Sequence, residues 1–299
     1  MMEKYIHKVN YYETDKMGIT HHSNYIRWME EDLPGTGREI KSNGKRRVRM
    51  YYNIYFSPTG GTKKVADIFA ENLQGDYQDV DLCHDIQPMT LQEEDVCLIS
   101  VPSYGGRVPA VNLERLRKMQ ANGAKAVLNC VYGNRHWDDT LTELQDTLED
   151  LGFVCVAAVA AVAEHSIFRQ FAAGRPDADD EKQLAAFAKK IQGKLNDGNF
   201  GKLELEGAHG PYKEYKGVPY QPETGENCTL CGLCARECPV GAIDPATPNK
   251  INKETCISCM RCSSLCPTQA RGLDEVVMKE RAELIAPHLG GHKENHLFL

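Results

Sequence analysis

Tyr51-Tyr52-Asn53-Ile54-Tyr55-Phe56-Ser57-Pro58-Thr59-Gly60-Gly61-Thr62 is the stretch from which the fold is read. Tyr51 to Phe56 is a short apolar run of strand length, closed by a cluster of Ser, Pro, Thr and Gly. Thr62 to Leu73 then sets Val65, Ile68, Phe69 and Leu73 on one side at helical spacing. Working outward, the same alternation recurs. Tyr77 to Leu82 reads as a second strand and Val96 to Val101 as a buried third, with a helix near Val111 to Met119. Ala126 to Val131 is a fourth strand, followed by a helix near Asp138 to Leu151. Val154 to Val162 is a fifth strand, and Asp179 to Leu195 the last helix. Strands alternating with helices predict an α/β, doubly wound parallel sheet. Five strands in this length suit the order 2-1-3-4-5.

In such sheets, ligands bind outside the carboxyl ends of the strands, where the order reverses. The loops after strands one, three and four should meet there. The first, Ser57 to Thr62, offers hydroxyls, glycines and the N–H groups of a helix start, which suit a phosphate. The second is Pro102-Ser103-Tyr104-Gly105-Gly106-Arg107-Val108-Pro109 and the third Tyr132-Gly133-Asn134-Arg135-His136-Trp137-Asp138-Asp139. Each places an aromatic beside glycine, suited to a planar ring. The plainer alternatives are a helix cap at the first loop and sheet-capping aromatics at Tyr104 and Trp137. The first loop resembles the phosphate loop of flavodoxins. That resemblance implies a flavodoxin-like domain holding FMN at Ser57, Thr59, Gly60, Gly61, Thr62, Ser103, Tyr104, Gly105, Asn134 and Trp137.

Eight of the 12 cysteines lie between Cys228 and Cys266. Cys228-x-x-Cys231-x-x-Cys234-x-x-x-Cys238-Pro239 is followed by Cys256-x-x-Cys259-x-x-Cys262-x-x-x-Cys266-Pro267, ligand for ligand. Without an export signal a disulfide framework is not expected, and clustered thiols then point to metal. A pair of zinc ribbons needs four ligands in two pairs, which fits two triplets with trailing Cys-Pro poorly. The run resembles the two-cluster bacterial ferredoxins. The resemblance implies a small α+β domain with two 4Fe-4S clusters. Cys228, Cys231, Cys234 and Cys266 would hold the first, and Cys256, Cys259, Cys262 and Cys238 the second. Three thiolates wrap one cube from a tight loop, and the fourth, beginning a short helix, reaches the partner cube. Pro239 and Pro267 keep the preceding cysteine extended, and Gly232 is expected to let the loop pass close to sulfur. Arg271 stands where Ile243 stands in the first copy, so one cluster should sit in more polar surroundings. Among the remaining cysteines, Cys97, Cys130 and Cys155 sit in apolar runs and read as small buried residues.

Composition narrows the function. Hydrophobic residues make up 41% and charged residues 26%, ordinary for a globular protein, and the formal net charge of -7 comes with no basic face, so no nucleic-acid partner is expected. The longest nearly apolar run, Leu151 to Ala163, is shorter than the roughly 20 residues of a membrane span, so no membrane partner is expected either. Glu3, Lys4, His7 and Lys8 replace any apolar signal region, and a cytoplasmic location follows as an expectation. The basic run Lys45-Arg46-Arg47-Val48-Arg49 reads as solvated linker.

Tyr11-Tyr12-Glu13-Thr14-Asp15 to Arg27-Trp28-Met29-Glu30-Glu31 is similar to the start of hotdog-fold acyl-CoA thioesterases of the 4-hydroxybenzoyl-CoA type, where the aspartate matching Asp15 is catalytic. The strands that complete that fold are absent. The expected organisation is a truncated thioesterase-like segment and linker at 1–49, a flavodoxin-like domain at 50–196, a linker or surface excursion at 197–226, a two-cluster ferredoxin domain at 227–272, and a C-terminal helix and tail at 273–299. This order of parts resembles flavodoxin–ferredoxin fusion proteins. The resemblance implies electron transfer between two 4Fe-4S clusters and FMN, serving redox partner proteins and needing no catalytic acid, base or nucleophile. A ferredoxin with a flavin-free docking domain, or a flavin-dependent reductase of a small substrate, remains open.

Overall fold

The computed structural model describes residues 39–42 and 45–299, with side chains from residue 49 onward. Residues 1–49 and 50–299 form separate compact units. In the first, β1 (Glu39–Ser42) pairs antiparallel with β2 (Lys45–Val48), so most of the basic run is extended, paired backbone. The thioesterase-like stretch lies outside the described residues.

The second unit opens with β3 (Tyr51–Tyr55), α1 (Gly61–Asn72) and β4 (Tyr77–Asp81). The two-residue β5 (Met89–Thr90) precedes β6 (Val96–Pro102) and α2 (Ala110–Leu116), and β7 (Met119–Gln120) pairs back onto β5. Then come β8 (Lys125–Tyr132), α3 (Thr140–Asp150), β9 (Val154–Val162) and α4 (Ala178–Asp197). The cysteine region contributes β10 (Glu223–Thr224), the single-turn helices α5 (Leu233–Arg236) and α6 (Arg261–Ser264), and β11 (Arg271–Gly272). Helix α7 (Glu275–Leu289) and β12 (His296–Phe298) end the chain.

The main sheet runs β12-β9-β8-β6-β3-β4. Its five parallel strands, numbered in chain order, stand as 2-1-3-4-5, the flavodoxin-like doubly wound arrangement. Both faces are covered, which is why β6, β8 and β9 are almost continuously apolar. Val65, Ile68 and Phe69 of α1 and Leu184, Ala188 and Ile191 of α4 bury against Leu98, Val127 and Val159 on one face. Leu116 of α2 and Leu141, Leu144 and Leu148 of α3 cover Ile99, Leu128 and Ala158 on the other. Cys83, Cys97, Cys130 and Cys155 are all buried in this body.

The sixth strand differs from expectation. The tail folds back so that β12 pairs antiparallel with β9, matching His296 to Ala160 and Phe298 to Ala158. Asn295 fixes this return: its Oδ1 accepts from Val162 N at 2.8 Å and its Nδ2 donates to Asp180 Oδ1 at 2.8 Å. A three-residue strand carries no sequence periodicity that would reveal it.

In the cysteine region the sequence repeat is also a backbone repeat. Leu230 and Ser258, Gly232 and Met260, and Gly241 and Gln269 all have positive φ, and each pair has the spacing of the cysteine repeat. Gly232 therefore answers to its left-handed backbone (φ 73°) rather than to crowding by sulfur. A Cβ there would meet only the Arg236 guanidinium, at 3.4 Å. β10 and β11 pair antiparallel and bracket the region. Among the described residues no helix is long and apolar enough to cross a membrane.

Candidate electron-transfer site

A cavity of about 350 Å³ lies at the carboxyl ends of β3, β6, β8 and β9. The loop after β3 supplies Pro58, Thr59, Gly61 and Thr62. Ser57 does not line the cavity; its Oγ accepts from Lys63 N at 2.8 Å and so pins the loop to the first turn of α1. Gly60, at φ 94°, borders a second cavity of about 570 Å³ that shares Thr59 and Gly61 with the first. The loop after β6 supplies Ser103, Tyr104 and Gly105, and Tyr104 and Arg107 exchange backbone hydrogen bonds of 2.9 and 3.1 Å across its turn. Arg107 is tied to the buried Glu143 carboxylate, which also accepts from Val108 N at 2.9 Å. Thr140 Oγ1 donates to Ser103 Oγ at 2.8 Å. These bonds hold the loop rigid.

Six of the ten expected FMN residues therefore reach the strand-end cavity: Thr59, Gly61, Thr62, Ser103, Tyr104 and Gly105. Asn134 and Trp137 do not. Asn134 is 3% exposed, and its Nδ2 donates to the carbonyls of Leu289 and Gly291, so it anchors the end of α7. Trp137 packs among Tyr132, His136, His296 and Phe298, stacked on His136 at 4.3 Å. The tail claims both side chains. The loop after β8 instead gives the cavity Gly133, Arg135 and His136.

The rest of the wall comes from segments that strand-end reasoning did not include. The loop after β9 brings Glu164, His165 and Phe168. Its position directly after the fifth strand was a usable signal. Burial pushes the His165 imidazole down to about 4, with the Arg135 charge adding to the effect. His165 is thus neutral at pH 7. Its Nδ1 accepts from Ile167 N and Phe168 N at 3.1 and 3.2 Å, which places the ring proton on Nε2. Residues 197–226 cross the body rather than hang from it: Leu203 is buried, and Tyr215, Val218 and Tyr220 line the cavity. Tyr215 sits against Gly105, where a Cβ would collide with its ring. Ile285, His288 and Leu289 of α7 and Ile257 and Ser258 of the second cysteine loop complete the wall. Burial pushes the Tyr104 hydroxyl well above its ordinary range, so it stays protonated.

The eight cysteines of the repeat gather in two rings. Cys228, Cys231, Cys234 and Cys266 line one concavity with Pro248, Pro267 and Arg271. Cys238, Cys256, Cys259 and Cys262 line the other with Val240, Ile243, Ile251 and Ile257. Each ring takes its fourth thiol from the opposite copy. Backbone amides point at the crossing sulfurs in matched fashion: Ala242 N to Cys238 Sγ at 3.2 Å and Ala270 N to Cys266 Sγ at 3.3 Å. All-thiol donors, apolar walls and amides aimed at sulfur suit an anionic iron–sulfur cube. Arg271, 5% exposed, lines the first ring, and its Nη1 has no partner.

Arg115, buried near the end of α2, donates to the carbonyls of Leu82 and Pro239, and Ser264 donates from Oγ to Pro58 O at 3.3 Å. The cysteine region is thereby seated on the sheet body with its second ring toward the strand-end cavity. Ile257 lines both that ring and the cavity.

Residues 214–271 match the sequence profile of the 4Fe-4S dicluster domain. The match does not extend to the thioesterase-like stretch. No curated protein sequence matches the chain significantly. Among solved structures, a Streptococcus pneumoniae TIGR4 flavodoxin aligns at 19% identity and TM-score 0.36, over 48% of this chain and 99% of its own. A flavodoxin from the domain Archaea aligns at 12% identity and TM-score 0.36, over 49% and 99%. A Fusobacterium nucleatum flavodoxin bound to flavin mononucleotide aligns at 14% identity and TM-score 0.33, over 50% and 96%.

Proposed function

We propose that this protein transfers electrons between redox partner proteins by way of two 4Fe-4S clusters and one bound FMN. The observation that carries the reading is Ile257, shared by the second thiol ring and the cavity at the strand ends. Bound there, the clusters supply one-electron steps and the flavin couples them to two-electron chemistry. The chain's own residues provide placement. The Thr59–Thr62 loop offers the start of α1 to a phosphate. Tyr104 and Tyr215 offer aromatic faces to a planar ring, and neutral His165 offers an N–H at Nε2. Cys231 is exposed, whereas Cys259 and Cys262 are buried, so the first ring faces partners and the second faces the cavity.

Anaerobic purification followed by counting tests this directly. About eight irons, about eight sulfides and about one acid-released flavin per chain are expected. Iron without flavin would leave the cavity as a docking feature, and zinc in place of iron would overturn the proposal.

A further inference from the structure

Arg271 and Ile243 occupy equivalent positions in the two halves of the repeat, one behind each ring. Ile243 is 2% exposed and offers only hydrocarbon. Arg271 is as deeply buried, and its Nη2 donates to Pro248 O at 2.5 Å. Its Nη1 has no partner, and no carboxylate among the described residues pairs with it. A guanidinium keeps its charge in proteins, and burying it without a counter-charge is unfavourable. Among the described residues, the Pro248 carbonyl and the thiol ring itself are what the guanidinium faces.

From this asymmetry we infer that Arg271 is a built-in counter-charge that raises the reduction potential of the centre in the Cys228, Cys231, Cys234 and Cys266 ring above that of its partner. The inference rests on the iron–sulfur reading above. Reduction adds one negative charge, and a fixed cation against the ring stabilises the more negative state. Arg271 lines the first ring and not the second, so the larger effect falls on the first. A single electron in the pair then rests at the ring with the exposed Cys231. The fold so biases electrons away from the cavity and toward an external partner.

The test is an anaerobic dithionite titration of the full chain followed by electron paramagnetic resonance, each centre taking one electron from the reductant. Wild-type protein is expected to show two separated midpoint potentials. Arg271→Gln, with iron and sulfide content checked, should move the higher one down toward the lower. Arg271→Lys should stay near wild type, because it keeps the charge. Two coincident potentials in wild-type protein overturn the inference without any variant. So does a fully loaded Arg271→Gln protein with unchanged potentials, or an equal shift in both variants. Wild-type protein without iron refutes the electron-transfer reading itself, which is a separate result.

Discussion

Arg115 donates from Nη2 to the carbonyl of Pro239 at 2.6 Å, joining a helix of the doubly wound sheet to the loop that follows the fourth cysteine of the first repeat. The same guanidinium donates from Nη1 to Leu82 O and is only 8% exposed. One side chain thus satisfies carbonyls from both halves of the molecule. Arg115→Met keeps the volume but strands both acceptors. A loss of about 3 kcal/mol is expected, because charged hydrogen bonds vanish and buried carbonyls go unmet. Denaturant unfolding measures the loss, and hydrogen exchange should show it as faster opening in 228–271 than in the sheet. Uniform exchange across the chain would argue against a local anchor.

A second buried pair governs the far edge of the sheet. Arg175 and Asp180 side chains are 8% and 4% exposed, and Asp180 also accepts from Asp177 N and Asn295 Nδ2. Burial alone would raise the Asp180 carboxyl, but Arg175, the Asp177 amide and Asn295 together hold it down to about 2. Its folded value lies below the unfolded one of roughly 3.9, so the stabilisation is complete above that pH and fades as pH falls toward about 2. Asp180→Asn should cost about 3–5 kcal/mol at pH 7, since it leaves Arg175 buried without its partner. The gap to wild type should narrow between about pH 4 and about pH 2, as followed by unfolding at each pH.

His165 acts in the same direction, at higher pH. Its folded value of about 4 lies below the ordinary 6.5. Below about pH 6.5 the unfolded chain takes up a proton that the folded chain refuses, so stability declines with acidification until about pH 4. His165→Gln should flatten that decline while holding stability at pH 7 within about 1 kcal/mol. An unchanged pH profile in the variant would place the titration elsewhere.

Gly105 has φ +61°, and a Cβ there would strike the Tyr215 ring. Gly105→Ala should therefore displace the aromatic wall of the cavity. FMN titrated into flavin-stripped protein is expected to bind about tenfold more weakly, or about 1.4 kcal/mol. Equal affinity would show that Tyr215 contributes nothing to the ligand.

Removing residues 292–299 takes away β12 and uncovers the outer edge of β9. An exposed apolar edge invites pairing with another chain. Light scattering should detect concentration-dependent association that the full chain lacks.

The strand–helix alternation, the sheet order and the division of eight thiols into two crossed rings were all legible in the chain. The elements are written in short-range pattern, apolar runs for strands and 3.6 spacing for helices; the ligands come at every third residue, and the crossing is what the resemblance to two-cluster ferredoxins implies. Tertiary structure decided what local spacing does not encode. It gave Asn134 and Trp137 to the returning tail, since Leu289, His296 and Phe298, which they meet, lie more than a hundred residues away. It built much of the cavity wall from His165, Tyr215 and Ile257, which meet only when the cysteine region seats on the sheet. It also buried Arg271 without a carboxylate. The sequence shows that an arginine replaces an isoleucine, but whether its charge is solvated or confined beside a ring of thiols depends on packing alone.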